Sequence, residues 1–324
     1  MLDRAALERI VDRARLAPSV HNIQPTRWSL DDMGRILLLD SPSIHLPVAD
    51  PDGRDVLISH GAALEGTVIA LAEAGWASEV EPADGALAAI RVARDTPADA
   101  KPEVESRASW RGSFIRSPES AALDRLEKDC PDLVLVRDPA AIGRIAHDGD
   151  EASMHFLRDV GHRRELLDWM RLTRAHPHWA SDGLNAEAMA LSPVEARAAG
   201  MVLGPLFGVL DRVGLARILT SERSKTASAS AIALFFRPRG ETPMITGRAF
   251  YRAWLAMERQ GLAACPVSVL ADWSETNAHL SAQYSPSDDR ALLSVFRIGK
   301  RPSGIGSARS RKPIGQLITA GQVG

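Results

Sequence analysis

After Asp3, the apolar residues Leu7, Ile10, Val11 and Ala14 recur at a spacing that lines one face of a helix, while Glu8, Arg9, Asp12, Arg13 and Arg15 fall elsewhere. Asp3 has the short acceptor side chain of an N-cap, and Pro18 stops the helix. Residues 28–40 then read as a hairpin turning at Asp31-Asp32-Met33-Gly34, because Ile36-Leu37-Leu38-Leu39 is a short apolar run of buried-strand type. A second helix runs over 61–74, rich in small residues, with Gly75 at the position where a left-handed residue ends a helix.

Much later the pattern returns. Gly247 opens and Gly261 closes another helix, fourteen residues from glycine to glycine as in the first, and each copy leads to a strand ending in arginine, over 87–91 and 292–297. Two glycine-bounded helices of equal length predict an internal repeat of one α+β unit, although an alanine-rich chain can also produce such a pair by chance. The polar, proline-bearing stretch 95–106 is the natural linker, which divides the chain into an N-terminal half, 1–100, and a C-terminal half, 101–324. The second half adds a helix about 123–126, a strand at 132–137, two helices over 139–174, a helical region over 193–219 and a strand at 231–236. The stripe Met201, Val202, Leu203, Leu206, Phe207, Val209 and Leu210 fits ordinary core or a lid over a pocket mouth, so 193–225 is the candidate lid insertion. The tail after Pro302 is polar and arginine-rich and reads as extended.

Composition narrows the classes. With 324 residues, 45% hydrophobic and 25% charged, the chain can bury a large core. A net charge of −2 leaves no global basic field for a nucleic acid or an anionic membrane, so neither is expected as a partner. Cys130 and Cys265 lie far apart without a C-x-x-C spacing, which predicts neither a disulfide framework nor a zinc site and fits a reducing cytoplasm. The start Met1-Leu2-Asp3-Arg4 leads directly into a charged helix, and no uninterrupted apolar run reaches about 18 residues, so a cytoplasmic protein without a membrane span is expected.

Four segments carry candidate chemistry. Pro18, Ser19, His21, Asn22, Gln24 and Pro25 crowd into one turn stiffened by two prolines, where converging polar groups suit a flat, polar-edged ligand; the same string also serves as a plain helix stop. Arg107, Ser109 and Arg111 set two guanidinium forks and a hydroxyl close together, which suits a phosphate dianion or a solvated basic turn. Gly299-Lys300-Arg301 ends an apolar strand with two cations, and 261–269 is a proline-bearing turn after the second glycine-bounded helix. His176-Pro-His178 lacks the carboxylate partner of a metal site, and Gly304-x-Gly306 lacks the third glycine of a dinucleotide fingerprint. His21, His60 and His155 read as structural histidines.

The string Ala17-Pro18-Ser19-x-x-Asn22-x-Gln24-Pro25 resembles the A-P-S-x-x-N-x-Q-P signature of the nitroreductase superfamily of FMN enzymes, with Thr26 where that family usually has an aromatic residue and Trp28 two positions later. Arg107, Ser109 and Arg111 match the family's R-x-S-x-[RK] segment, which holds the FMN phosphate, with Phe114 displaced by one. By the same resemblance Pro18, Ser19, Val20, Asn22 and Gln24 border the flavin. Pro266, Val267, Ser268 and Val269 approach its ring, and Lys300 and Arg301 reach the phosphate. In the dimeric members, one subunit supplies the arginine segment and its partner the proline-serine turn. Here the first half holds the turn and the second half the arginines.

The resemblance therefore implies a tandem Acg-type FMN-binding oxidoreductase: two fused α+β halves that mimic the nitroreductase homodimer around one composite FMN site. It implies NAD(P)H as electron donor, a nitroaromatic, quinone or similar planar acceptor, and no catalytic side chain, because FMN carries the chemistry. A monomer is expected, with a homodimer left open. Because a lid can deny nicotinamide entry in that group, a flavin-sequestering or storage protein with little turnover is the alternative. An interaction module that has lost flavin is a third.

Overall fold

A computed structural model of the chain describes residues 2–115, 119–304 and 308–319. The first helix, α1 (Arg4–Ala14), begins where the Asp3 carboxylate accepts the Ala6 N–H at 2.7 Å, and it buries Ala6, Leu7, Ile10, Val11 and Ala14 as its periodicity requires. The expected hairpin follows as β1 (Arg27–Leu30) and β2 (Ile36–Leu39), paired antiparallel. The next helix, α2 (Arg54–Glu73), starts about two turns ahead of the predicted Gly61. It is buried on several sides at once, so its leading turns show no polar face to mark them. Two strands that the sequence reading placed short or missed, β3 (Trp76–Glu81) and β4 (Ala88–Asp95), complete an antiparallel sheet of order β1-β2-β4-β3.

The expected linker is more than a connection. It carries a single helical turn, α3 (Glu103–Ser106), whose Val104 is buried with Ala17, Ala62, Tyr251 and Leu255. The second lobe then opens with α4 (Ser120–Asp129) and β5 (Leu133–Val136). A long excursion follows: α5 (Pro139–Arg158), α6 (Val160–Trp169), β6 (Met170–Arg171), β7 (Leu184–Asn185), α7 (Pro193–Leu203), α8 (Phe207–Arg212), α9 (Leu215–Thr220) and α10 (Arg223–Ala227). The chain returns through β8 (Ala231–Pro238), α11 (Pro243–Arg259), β9 (Ala263–Pro266), α12 (Val269–Asp272), α13 (Ser274–Tyr284), β10 (Arg290–Gly299) and α14 (Ile314–Leu317). The second antiparallel sheet has the order β5-β8-β10-β9.

The two sheets match strand for strand. In each, a helix precedes the first strand and a long helix joins the second strand to the third. They differ in what is inserted: the hairpin between β1 and β2 corresponds to the whole excursion from α5 to α10, and the short β3 to β4 connection corresponds to α12 and α13. The fold is α+β.

The long helices α2 and α11 cross at their glycines. A Cβ on Gly61 would stand 2.1 Å from the Met244 carbonyl oxygen, and one on Gly247 would stand 2.0 Å from that of Ile58. Ile58 and Met244 each lie one turn before the glycine of their own helix, so the contact is reciprocal, as it is across a two-fold interface. By length and composition α2 could cross a membrane, yet 67% of its most apolar window is buried within the protein, against α1 and α11 among others.

After β10 the tail crosses back to the first lobe. Leu317 and Ile318 join the core formed by Leu7, Ile10, Trp28 and Ile36, and the Thr319 N–H donates to the Trp28 carbonyl at 2.9 Å. The tail therefore ends in α14 and a bridge to β1, where an extended tail was expected; Gly304-x-Gly306 lies partly outside the described residues.

Candidate functional site

The turn after α1 is built against the backbone's preference. His21, Asn22 and Gln24 hold φ of 42°, 56° and 53°, left-handed values that cost non-glycine residues about 1 kcal/mol or more apiece. The surroundings hold them there. Ser19 Oγ accepts the Gln24 N–H at 3.0 Å, and the Val20 N–H donates to Ser59 Oγ of α2 at 3.0 Å. Asn22 Nδ2 donates to the Gly183 carbonyl and to Ser310 Oγ, each at 3.0 Å, while its Oδ1 accepts from Arg311 at 2.9 Å. His21 Nδ1 is buried with no partner in the protein; burial pushes this histidine down to about 4, Arg111 adds to the effect and Glu165 opposes it.

The turn forms one wall of a cleft of about 240 Å³ between the lobes. Another wall is cationic: Arg107, Ser109 and Arg111 from the stretch after α3, with Arg309 and Arg311 from the returning tail. Arg107 is 2% exposed, donates to the Leu16 carbonyl, and stacks with its guanidinium carbon 4.7 Å from the Trp254 ring centre. Burial lowers the Arg107 pKa. Burial and the neighbouring Arg107 bring Arg309 to about 10, and burial beside Arg107 and Arg309 drives Arg311 well below its ordinary value. Among the described residues, none of these arginines, nor Arg111, has a carboxylate within salt-bridge distance. Arg107 Nε and Trp254 Nε1 are buried donors with no partner in the protein. Concentrated positive charge and unsatisfied donors call for an anion.

At the other end the lining is acidic. Asp55 of α2 and Asp272 of α12 line the cleft together with Pro266 and Ser268, and Phe235, Phe250 and Leu293 add apolar lining. Partial desolvation raises the pKa of Asp272, an exposed residue, with Asp55 adding to the rise while Arg54 and Ser268 oppose it.

His21, read from the sequence as structural, lines this cleft, as do nine of the fourteen residues expected to contact the flavin: Pro18, Ser19, Val20, Asn22, Arg107, Ser109, Arg111, Pro266 and Ser268. Five do not. Gln24 is buried behind the turn as a fastening, its Nε2 donating to the Ser181 carbonyl at 2.8 Å and its Oε1 accepting the Lys312 N–H at 2.9 Å. Val267 packs against the second lobe's core and donates its N–H to Val295 at 2.7 Å, and Val269 opens α12. Lys300 is exposed and Arg301 turns to Glu258 at 3.5 Å, so the cations expected at the strand end come from Arg309 and Arg311 after the chain has turned back. The cluster Arg309-Ser310-Arg311-Lys312 was the available signal, but its destination is set by contacts with Arg15, Leu16 and Asn22, far away in sequence. Asp55 and Asp272 went unnoticed because single acidic residues carry no motif. No residue of 193–225 lines the cleft; α7 packs on α6, and α9 and α10 on α5.

No family model matches the chain. It is 29% identical over 178 residues to the Mycobacterium tuberculosis protein named "Putative NAD(P)H nitroreductase Rv3131", the match covering 52% of each. It is 37% identical over 81 residues to the protein named acg in the same species, covering 25% of this chain and 24% of that one. The chain thus spans about half the length of the first of these relatives in alignment. Among solved structures, the FMN-dependent nitroreductase NfnB of Mycobacterium smegmatis, determined with NADPH, shares 18% identity and a TM-score of 0.36, covering 64% of this chain and 92% of that one. The Ala17 to Pro25 signature and these curated similarities make the chain similar to nitroreductases over part of its length.

Proposed function

We propose that the chain is an FMN-dependent oxidoreductase of nitroreductase type that passes reducing equivalents from NAD(P)H to a planar acceptor such as a nitroaromatic or a quinone. Its single composite site lies between the lobes at 1–100 and 101–324. One observation carries the reading: the proline-serine-asparagine turn of the first lobe and the arginine segment of the second, which the family's dimers contribute from two subunits, line one cleft. The names of the similar mycobacterial proteins support the nicotinamide donor.

FMN fits the residues present. Its phosphate is a dianion, and the cationic wall offers Arg107, Ser109, Arg111, Arg309 and Arg311 together with the buried donors Arg107 Nε and Trp254 Nε1. The strained turn at Ser19 to Asn22 and the segment Pro266 to Ser268 would border the ring, and Phe235, Phe250 and Leu293 would keep water from it. When bound, FMN supplies two-electron redox chemistry. The protein's part is to orient the cofactor, neutralise its phosphate and shape access.

The test is cofactor loading followed by anaerobic nicotinamide. Arg107→Ala with Arg111→Ala should lower the FMN content of the purified protein by about tenfold or more, since each charge-assisted contact is worth roughly 1.5–3 kcal/mol. Unchanged occupancy would remove the phosphate assignment. Loaded wild-type protein should bleach with NADH or NADPH. Colour that survives both nicotinamides and yields only to dithionite would support sequestration.

A further inference from the structure

The insertion 193–225 lines no part of the cleft, and its outer side is apolar. Of the fourteen large apolar side chains exposed among the described residues, eight fall within 194–219. On α7, Val194, Arg197, Ala198 and Met201 are exposed at the i, i+3, i+4, i+7 spacing of one helix face, while Ala196 and Leu203 are buried. On α9, Leu215, Ile218 and Leu219 begin the same spacing, and Ala216 is buried. Between them Val209 and Val213 are exposed, whereas Phe207 of α8 is buried in a cluster with Met154 of α5 and Ala216. The three helices adjoin, α8 packing on both α7 and α9. Val194 is 79% exposed and Ile218 70%, values of a stripe turned away from the core. Apolar side chains scattered singly over a surface need no partner, but a group of them on adjoining helices marks a face that something covers.

Charge identifies the partner. The chain carries −2 overall, yet 192–225 holds five cations against three carboxylates. All three carboxylates are engaged: Glu195 accepts the Ser192 N–H at 2.8 Å in a capping box, Asp211 lies 3.1 Å from Arg158, and Glu222 lies 2.6 Å from Lys225. Arg217 pairs with Glu151. Among the described residues, the exposed Arg197, Arg212 and Arg223 have no carboxylate within salt-bridge distance. Arg197 stands between Val194 and Met201 on the α7 face, and Arg212 adjoins Val213 in the chain. Two copies of the chain meeting here about a two-fold axis would bring these arginines together with no unengaged carboxylate of the segment to meet them. An anionic lipid surface meets both demands, its headgroups taking the guanidinium groups and the boundary beneath them the apolar side chains.

We propose that α7, α8 and α9 form a peripheral membrane-binding face, which seats Val194, Met201, Val209, Val213, Ile218 and Leu219 in the headgroup boundary of an anionic bilayer and sets Arg197, Arg212 and Arg223 against its phosphates. The longest of the three, α7, has 11 residues. At 1.5 Å per residue it reaches about 16 Å, half of a hydrocarbon core, so the face lies on the bilayer and does not cross it. The face is separate from the cleft, and the proposal is independent of the redox reading.

The test is co-sedimentation of the whole chain with vesicles of phosphatidylcholine, alone or with about one third phosphatidylglycerol. The anionic lipid should strengthen binding by about tenfold to a hundredfold, since each cation near the surface contributes roughly fivefold. Salt at about 0.5 M should remove most of that gain. Ile218→Ser with Leu219→Ser, both exposed, should weaken binding to the anionic vesicles by about tenfold or more with no change in Tm. Arg197→Gln with Arg212→Gln should weaken it about tenfold or more and flatten its salt dependence. Met33→Ser, at an exposed apolar residue of the first lobe, should change nothing. Failure to sediment with anionic vesicles at low salt would overturn the proposal, as would binding that survives both double variants. So would a concentration-dependent dimer in sedimentation velocity that Ile218→Ser with Leu219→Ser abolishes in a chain that ignores vesicles, because a second copy would then cover the face. Wild-type protein that binds vesicles but loads no FMN would remove the redox reading and leave this one standing.

Discussion

The crossing of α2 and α11 presents two faces that are alike in position and opposite in chemistry. On the open face, Ala62, next to Gly61, packs in a cluster with Tyr251, four residues after Gly247, beside Arg107 and the cleft. On the closed face the same two positions carry Arg248 and Glu65. The Glu65 carboxylate, 8% exposed, accepts from Arg248 at 2.7 Å and lies 2.9 Å from Arg252. A duplicated scaffold supplies two equivalent places, and the side chains decide which becomes a site. The small Ala62 leaves room, while an arginine-glutamate-arginine cluster fills the space it meets.

The reciprocity itself can be broken most forcefully at the glycines. Gly247→Ala and Gly61→Ala each place a methyl group against a main-chain carbonyl of the other helix, which must move. Each should cost about 3 kcal/mol, at the upper end of overpacking penalties, in urea unfolding. The two losses should be alike, and the double variant should lose less than their sum, since helices already parted relieve both clashes. A large loss at one glycine and none at the other would refute a two-fold relation.

The strained turn of the open face gives the next effect. His21 is neutral when folded down to about pH 4 but takes up a proton near 6.5 when unfolded. The unfolded chain therefore binds more protons between those values, and stability falls as the solution is acidified through that window. The contribution is on the order of 2–3 kcal/mol, fully present above about pH 6.5 and lost by about pH 4. Asp272 acts in the opposite sense, its raised pKa favouring the fold at acid pH, so the measurement is the difference between wild type and His21→Gln across pH 4–7. A difference independent of pH would mean that His21 is not held neutral.

The smallest effect sharpens the contrast between the faces. Glu65→Gln should destabilise by about 1 kcal/mol, since both arginines remain partly solvated. FMN content per chain should not change. A loss of cofactor in this variant would show that the closed face is coupled to the open one.

Local patterns in the sequence reached some parts of the molecule and missed others for a common reason. The face of α1, the β1 to β2 hairpin and the closing glycines after α2 and α11 are set by neighbours a few residues apart, and their spacing is visible in one dimension, whereas Gly61 and Gly247, expected to open those helices, lie inside them. The leading turns of α2, the strand β9 and the helices α12 and α13 are not. They are buried or exposed by elements from elsewhere in the chain, so no amphipathic period marks them. The cationic wall divides in the same way. Arg107 and Arg111 belong to a motif and line the cleft, whereas Lys300 and Arg301 point elsewhere and Arg309 and Arg311 take that place.

By itself, then, the amino-acid order suggested that one α+β unit occurs twice, and determined that a polar turn ends the first helix and that an arginine segment follows the linker. Only the tertiary structure decided that the tail returns to tie Arg311 to Asn22, and that Asp272 and Asp55 line one cleft. It also decided that one face stays open while Glu65 and Arg248 close the other. Periodicity and caps depend on bonds between near neighbours, but burial and electrostatic coupling depend on which distant side chains the packed helices bring within a few ångströms.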